Sequence, residues 1–290
     1  MLKQRVITAL VLLAVLLPAV AAASPWPFAL LTLAMIGAAG WEWARLNGAP
    51  GRPALLFGTG LALACGGTLL ALGQGGQLRA PPPWCWWLAG LIWVLGGAHA
   101  LRGGPAAWPH ASRLLRLVLG ALALWAAWLA IALAKTRGIN FLLSIFCLVW
   151  VADIFAYFGG RAFGRRKLAP AISPGKSWEG VWTGMVGVLV LGFIWAFVID
   201  ARVAVDSVSL YGLLLGGLGP AVGVLALLFL AGMSVVGDLF ESLIKRAVGA
   251  KDSSQLLPGH GGVLDRVDAL LPVFPLALAL SSLSSLSLLK

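Results

Sequence analysis

Residues 208–246 read VSLYGLLLGGLGPAVGVLALLFLAGMSVVGDLFESLIKR, and this stretch decides the fold. From Val208 to Val236 no side chain is charged, and then Asp238, Glu241, Lys245 and Arg246 follow closely. About 20 mostly apolar residues cross a bilayer, so the first part reads as a long spanning helix with a charged end. The same pattern recurs along the chain. Of its 290 residues, 60% are hydrophobic, 11% are charged and 14 are Trp. A soluble domain needs about 25% charged residues to wet its surface, so that class is excluded. The apolar content excludes disorder, and the 37 Gly have no period of three, which excludes collagen. Cys65, Cys85 and Cys147 lie in apolar stretches without paired or metal-like spacing, so neither a disulfide scaffold nor a metal site is expected from them. What remains is an all-α, polytopic membrane helical bundle.

Polar punctuation divides the chain into about nine transmembrane helices. They run approximately Val6 to Ala23, Trp26 to Gly40, Ala54 to Leu72, Trp84 to Leu101, Leu114 to Ala134, Ile139 to Phe158, Val181 to Ile199, Val208 to Val236 and Ala269 to Leu289. Lys3 and Arg5 ahead of the first apolar run resemble a secretory signal, but the many later spans favour an uncleaved first helix. With an internal N-terminus, only Arg79, Lys135, Arg137, Arg202 and Lys290 of the 21 Lys and Arg fall outside, as the positive-inside rule requires. The net charge of +11 is then a matter of cytoplasmic loops and anionic lipid, and no nucleic acid partner is expected. Residues 1–138 read as an N-terminal transmembrane region of about five spans without chemistry of its own, and His99 and His110 as packing residues. Residues 139–290 read as a catalytic region of about four spans. Its loops 159–180 and 237–268 are separated by two spans, so both are expected on the cytoplasmic face, where they can build one site.

Five of the ten acidic residues, Asp238, Glu241, Asp252, Asp265 and Asp268, lie in the second of these loops. Asp238, Ser242 and Lys245 recur at helical spacing on one face, with Glu241 beside them. An acid in or near hydrocarbon costs up to about 2.5–3.5 kcal/mol on insertion scales, so these need a compensating role. The following run PGHGGVLDRVD, residues 258–268, has a glycine-freed backbone that can approach phosphate oxygens closely. Acids beside Lys245, Arg246, Lys251 and Arg266 suit a phosphate substrate carrying Mg²⁺, since hard oxygens hold the ion and bases hold the phosphate. The first loop is basic, with Arg161, Arg165, Arg166, Lys167 and Lys176 against the single acid Glu179, and its Ser173–Ser177 turn suits an anionic headgroup. Asp153, inside the sixth span, marks either a functional site or a structural pairing. Asp206, in an outer loop with no motif around it, is expected to tolerate Asn within about 0.5 kcal/mol.

The run from Ser242 to Asp268, SLIKR, four residues, then KDSSQLLPGHGGVLDRVD, closely resembles the signature of phosphatidate cytidylyltransferases, and the segment from Asp153 to Gly180 resembles a second stretch typical of that family. The resemblance covers about residues 147–275; before that the chain is similar only in being apolar and in its basic start. Ser177 stands where the family often has Thr, and Ile154 and Phe155 where it often has small or polar residues. No carboxylate, base or glycine of the signature is missing.

The resemblance implies CTP and phosphatidate as substrates and CDP-diacylglycerol and pyrophosphate as products, at the cytoplasmic face of a bacterial inner membrane, with a homodimer as the suggested assembly. On it rests the assignment of Asp238, Lys245 and Asp265 as catalytic. Asp238 and Asp265 are expected to hold Mg²⁺, with Glu241 and Asp268 as neighbours for a second cation. Lys245, Arg246 and Arg266 would grip phosphates. Ser173, Lys176, Ser177, Ser242, Lys251, His260, Gly261 and Gly262 complete the expected substrate contacts. A transporter or channel remains as a rival reading, although its polar residues would sit near the midplane rather than at one face. Another CTP-using enzyme acting on a polyprenol or an alcohol would share the chemistry.

Overall fold

A computed structural model describes residues 2–24, 26–74 and 77–287. Leu289 and Lys290, at the end of the ninth expected span, lie outside the described residues, as do the side chains of Lys3 and Arg5. The chain begins with α1 (Leu2–Ala21), α2 (Trp26–Leu46) and α3 (Arg52–Leu72), then a two-stranded turn of β1 (Gly73–Gln74) and β2 (Gln77–Leu78). Helices α4 (Pro83–Ala107), α5 (Arg113–Arg137) and α6 (Ile139–Phe163) follow, then an antiparallel hairpin of β3 (Lys167–Ala169) and β4 (Ser173–Ser177). Helix α7 (Trp178–Ile194) leads through a π turn (Trp195–Ile199) into α8 (Asp200–Arg202). Helices α9 (Leu210–Gly217), α10 (Pro220–Ala247), α11 (Leu264–Val267) and α12 (Leu270–Ser287) complete the fold.

The all-α membrane bundle expected from composition is the fold observed. Among the described residues, seven helical segments are long and apolar enough to cross a membrane. Helix α2 has the length but ends in Trp41-Glu42-Trp43-Ala44-Arg45, and it is not among the seven.

The eighth expected span is two helices. Gly219 takes φ 82°, a left-handed conformation that L side chains avoid, and Pro220 then opens α10. Helix α10 has 28 residues, about 42 Å at 1.5 Å per residue, so it carries Asp238, Glu241 and Lys245 within itself. The second expected loop is therefore loop only between Ala247 and Leu264. The first is also ordered, because β3 pairs with β4 through Lys167 opposite Ser177 and Ala169 opposite Ser173.

Helix α12 lies at the centre, with Ala269–Ala279 buried throughout, against α4, α5, α9 and α10. Helices α3 and α4 present Leu55, Leu56, Leu63, Leu88 and Leu95 outward, as lipid-facing helices do. The α6–α7 pair packs closely because Gly180 and Gly184 face backbone: an added Cβ would lie 2.7 Å from Ala156 O and Ala152 O respectively.

Asp206 departs from its expected neutrality. Its carboxylate accepts the Ile139 N–H at 2.6 Å and the Asn140 N–H at 3.0 Å, satisfying the free donors at the start of α6. Burial pushes this carboxyl up, but the N–H groups of Asn140 and Ile139 and the Ser207 hydroxyl outweigh it, and the group ends below the ordinary carboxylate range. A loop acid without a motif is thus a helix cap in trans.

Candidate active site

Two contacts join the hairpin to α10. Lys176, on β4, places its Nζ 2.7 Å from Asp238 Oδ2, and the Arg246 Nε donates to Ile172 O at 3.4 Å. The structure thus brings together the two polar stretches expected to share a site. Ser242, one turn beyond Asp238, donates to Asp238 Oδ1 at 3.3 Å. One further turn on, Lys245 Nζ lies 2.5 Å from both Glu241 Oε2 and Asp265 Oδ1, with the three side chains 12%, 3% and 6% exposed. Asp153, on α6, and Asp268, just past α11, interact electrostatically with Asp238.

Asp265 organises the connecting loop. Its Oδ2 accepts the Ser253 N–H at 2.9 Å, the Ser253 hydroxyl at 2.8 Å and the Gly262 N–H at 2.7 Å. Both Asp265 oxygens are therefore engaged by protein donors. The Gly262 N–H, expected to approach a phosphate, is spent on Asp265, and a Cβ there would collide with Ser253 Oγ and Glu42 Oε1. Gly261 holds φ 82° and accepts the Leu257 N–H at 2.8 Å, which closes the Gly-rich turn. Arg266 turns back to donate Nε and Nη2 to His260 O at 2.9 and 2.6 Å. The buried His260 Nδ1 has no partner among the described residues.

The expected substrate contacts divide by setting. Ser177 is buried and caps α7, its Oγ accepting the Gly180 N–H at 3.2 Å. Glu179 pins the hairpin's entry by accepting the N–H groups of Arg165 and Arg166 at 3.1–3.3 Å. Ser173 and Lys176 remain half-buried on β4, while Arg246, Lys251 and Arg266 are exposed. Lys251 lines an open cleft of about 780 Å³ of mixed character with Trp41, Arg45, Asp252, Ser253 and Ser254.

The N-terminal half reaches this loop through Glu42. Glu42, wholly buried on α2, accepts the Val263 N–H at 3.0 Å, the Leu264 N–H at 2.6 Å and the Ser254 hydroxyl at 2.5 Å, and lies 3.2 Å from Ser253 Oγ. The signal was present: a lone acid inside an apolar helix is as costly there as in α6, where Asp153 drew attention for that reason.

As a cation site the cluster fits in its chemistry. Asp238, Glu241 and Asp265 are paired with Lys176 and Lys245, and Asp153 and Asp268 lie within electrostatic range, an acidic excess of the kind a hard divalent cation takes. Glu241 Oε1 has no hydrogen-bond donor among the described residues. No three acids among the described residues stand grouped as a ready-made ligand set. Lys245 Nζ contacts both Glu241 and Asp265.

A polytopic bundle that gathers acids and lysines beside a glycine-rich turn suits a membrane-embedded transferase of the nucleotidyl class. The chain belongs to the Cytidylyltransferase family, whose model matches residues 3–284. It is 39% identical over 285 residues to the phosphatidate cytidylyltransferase of Pseudomonas aeruginosa, covering 97% of each chain. It is 37% identical over 298 residues to that of Haemophilus influenzae, covering 95% of this chain and 96% of the other. The Thermotoga maritima enzyme of the same name is 42% identical over 135 residues, about half of each chain. Likeness thus extends through the N-terminal half, which the signature segments alone did not reveal.

Proposed function

We propose that this chain transfers the cytidylyl group of CTP to phosphatidate, giving CDP-diacylglycerol and pyrophosphate. The observation that carries the reading is the ion pair of Lys176 with Asp238, which joins a basic hairpin to an acidic helix pair inside a membrane bundle. A phosphatidate oxygen attacks the α-phosphorus of CTP, the bond to the β-phosphate oxygen breaks, and pyrophosphate leaves. A phosphate monoester is already ionised near neutral pH, so no dedicated base is needed. The obstacle is the meeting of two anions, and fixed positive charge lowers it. Lys176 and Lys245 supply that charge within the cluster, and Arg246 and Arg266 at its exposed rim hold phosphate oxygens that would otherwise face water. Ser242 and Ser173 orient the phosphates by hydrogen bonds. Asp238, Asp265, Glu241 and Asp268 are the proposed holders of Mg²⁺, with a second cation among the same acids. When bound, the ion neutralises the triphosphate and the departing pyrophosphate.

The setting we propose is a bacterial inner membrane with the site on the cytoplasmic side. In that arrangement α1 and α2 complete nine passes with the seven long helices, the N-terminus is inside, and the protein works as a homodimer without nucleic acid. The excess of Lys and Arg in the loops assigned to the inside supports the orientation.

The test is incorporation of radiolabelled cytidine from CTP by purified protein offered phosphatidate, diacylglycerol or a polyprenol. Labelled CDP-diacylglycerol from phosphatidate alone is expected. Label in the polyprenol product, with none from phosphatidate, would overturn the substrate.

A further inference from the structure

We propose that Glu42 is a positioning residue for the cytidylyl transfer: from the N-terminal half it fixes the 250–264 loop in the shape that presents Asp265. The inference rests on the proposed reaction for its kinetic arm and on the structure alone for its loop-holding arm. Glu42 sits on α2 with no exposed surface, and no ion pair to it is found among the described residues. Four donors surround its two oxygens, all from residues 253–264. A buried carboxylate survives only where donors replace its lost water, so these contacts are a condition of Glu42 being charged there.

The donors are placed so that Glu42 and Asp265 grip the same turn. Val263 and Leu264, whose N–H groups end on Glu42, directly precede Asp265, and Gly262, whose N–H ends on Asp265, directly precedes Val263. Ser253 touches both acids, 2.8 Å from Asp265 Oδ2 and 3.2 Å from Glu42 Oε2. A hydroxyl has one proton to donate, so the Ser253 proton serves one carboxylate at a time and couples the two. The space between them admits no side chain, because a Cβ on Gly262 meets both Ser253 Oγ and Glu42 Oε1. Glu42 is itself held. Trp43 beside it donates to Arg116 O at 3.0 Å, and Asn47 at the end of α2 accepts from Trp108 Nε1 at 2.9 Å. The first half of the chain is thereby a rigid back wall for a turn whose working acid belongs to the second half.

Glu42→Gln tests this, because it keeps the shape while turning an NH₂ toward donors. In detergent-purified full-length protein, kcat for CDP-diacylglycerol formation should fall about 100-fold, as for loss of one preorganised electrostatic contact, with KM for phosphatidate unchanged within twofold. Without substrates, amide exchange in peptides covering 250–264 should quicken at least tenfold while exchange in α12 stays as in the wild type. A folded variant with kcat within threefold of wild type, or with unchanged loop exchange, overturns the proposal. If Glu42→Gln does not fold, Ser254→Ala removes one donor to Glu42 together with the acceptor of the Leu256 N–H, and should lower kcat three- to tenfold with faster loop exchange at an unchanged melting temperature. Wild-type kcat and exchange in that variant overturn the proposal equally. A wild-type protein inactive on phosphatidate would instead refute the substrate reading, and the exchange arm would still judge the role of Glu42.

Discussion

Replacing Lys245 by Met isolates what its ammonium does between two buried acids. Each of its contacts, to Glu241 and to Asp265, is 2.5 Å. At an effective dielectric of about 20, one such contact has a gross attraction of about 7 kcal/mol, most of which offsets the cost of removing the charges from water. The net loss is therefore governed by what is left behind. Lys245→Met strands two carboxylates in the interior, and breaking a buried pair by removing one partner costs about 3–5 kcal/mol. Glu241→Gln leaves Lys245 with Asp265 and should cost only about 1–2 kcal/mol. Combined, Lys245→Met and Glu241→Gln should cost at least about 2 kcal/mol less than the sum of the single changes, because the second removes one of the charges the first strands. Reversible unfolding in mixed detergent micelles measures all three, and CDP-diacylglycerol formation runs alongside. Both variants lacking Lys245 should be at least about 100-fold slower, including the double variant in which stability partly returns. A Lys245→Met protein within about 0.5 kcal/mol of wild type, or strict additivity, would refute the idea that this ammonium neutralises both acids.

Asp206→Asn keeps one acceptor oxygen but turns an NH₂ toward the other N–H of α6, and should lose about 1–2 kcal/mol while keeping wild-type kcat in the folded fraction. Because the folded carboxyl is held below its ordinary value, its contribution is present above about pH 4 and disappears as pH falls through the folded pKa, so the melting difference from wild type should shrink on titration from pH 6 to 3. Chelation of divalent cations should abolish turnover without unfolding the bundle, and turnover persisting in excess chelator after stripping would remove Mg²⁺ from the mechanism. Single cysteines at Arg165 and at Asp252, both exposed, placed in a background lacking Cys65, Cys85 and Cys147, should label from the same side of the membrane. Labelling from opposite sides would contradict a shared cytoplasmic site.

Composition alone was enough for the bundle, because a surface with so few charges can only face lipid. The neighbourhood of Asp238, Lys245 and Asp265 was legible for a related reason: charge concentrated beside apolar helices is too costly to be idle. What escaped was pairing across sequence distance. Asp206 looks like any loop acid until Ile139 and Asn140 stand over it, and Glu42 looks like the polar end of a helix until residues 253–264 close around it. The break before α10 is written in Gly219-Pro220, yet the apolar residues on both sides hide it within one long hydrophobic run. Gly262 was read as a phosphate donor because glycine's freedom is visible in sequence, whereas the side chains that need its missing Cβ are not.

Helix α12 is the most enclosed of the long apolar helices among the described residues, and it follows every helix it packs against in the chain. The ribosome therefore delivers the axis of the bundle after its walls. Until α12 enters, the inner faces of α4, α5, α9 and α10 can meet only lipid or one another, and Asp265 and Asp268, which immediately precede α12, have not been set against α10. Setting Asp265 and Asp268 against α10 and closing the bundle around α12 are thus coupled, because the two acids lie directly before α12 in the chain.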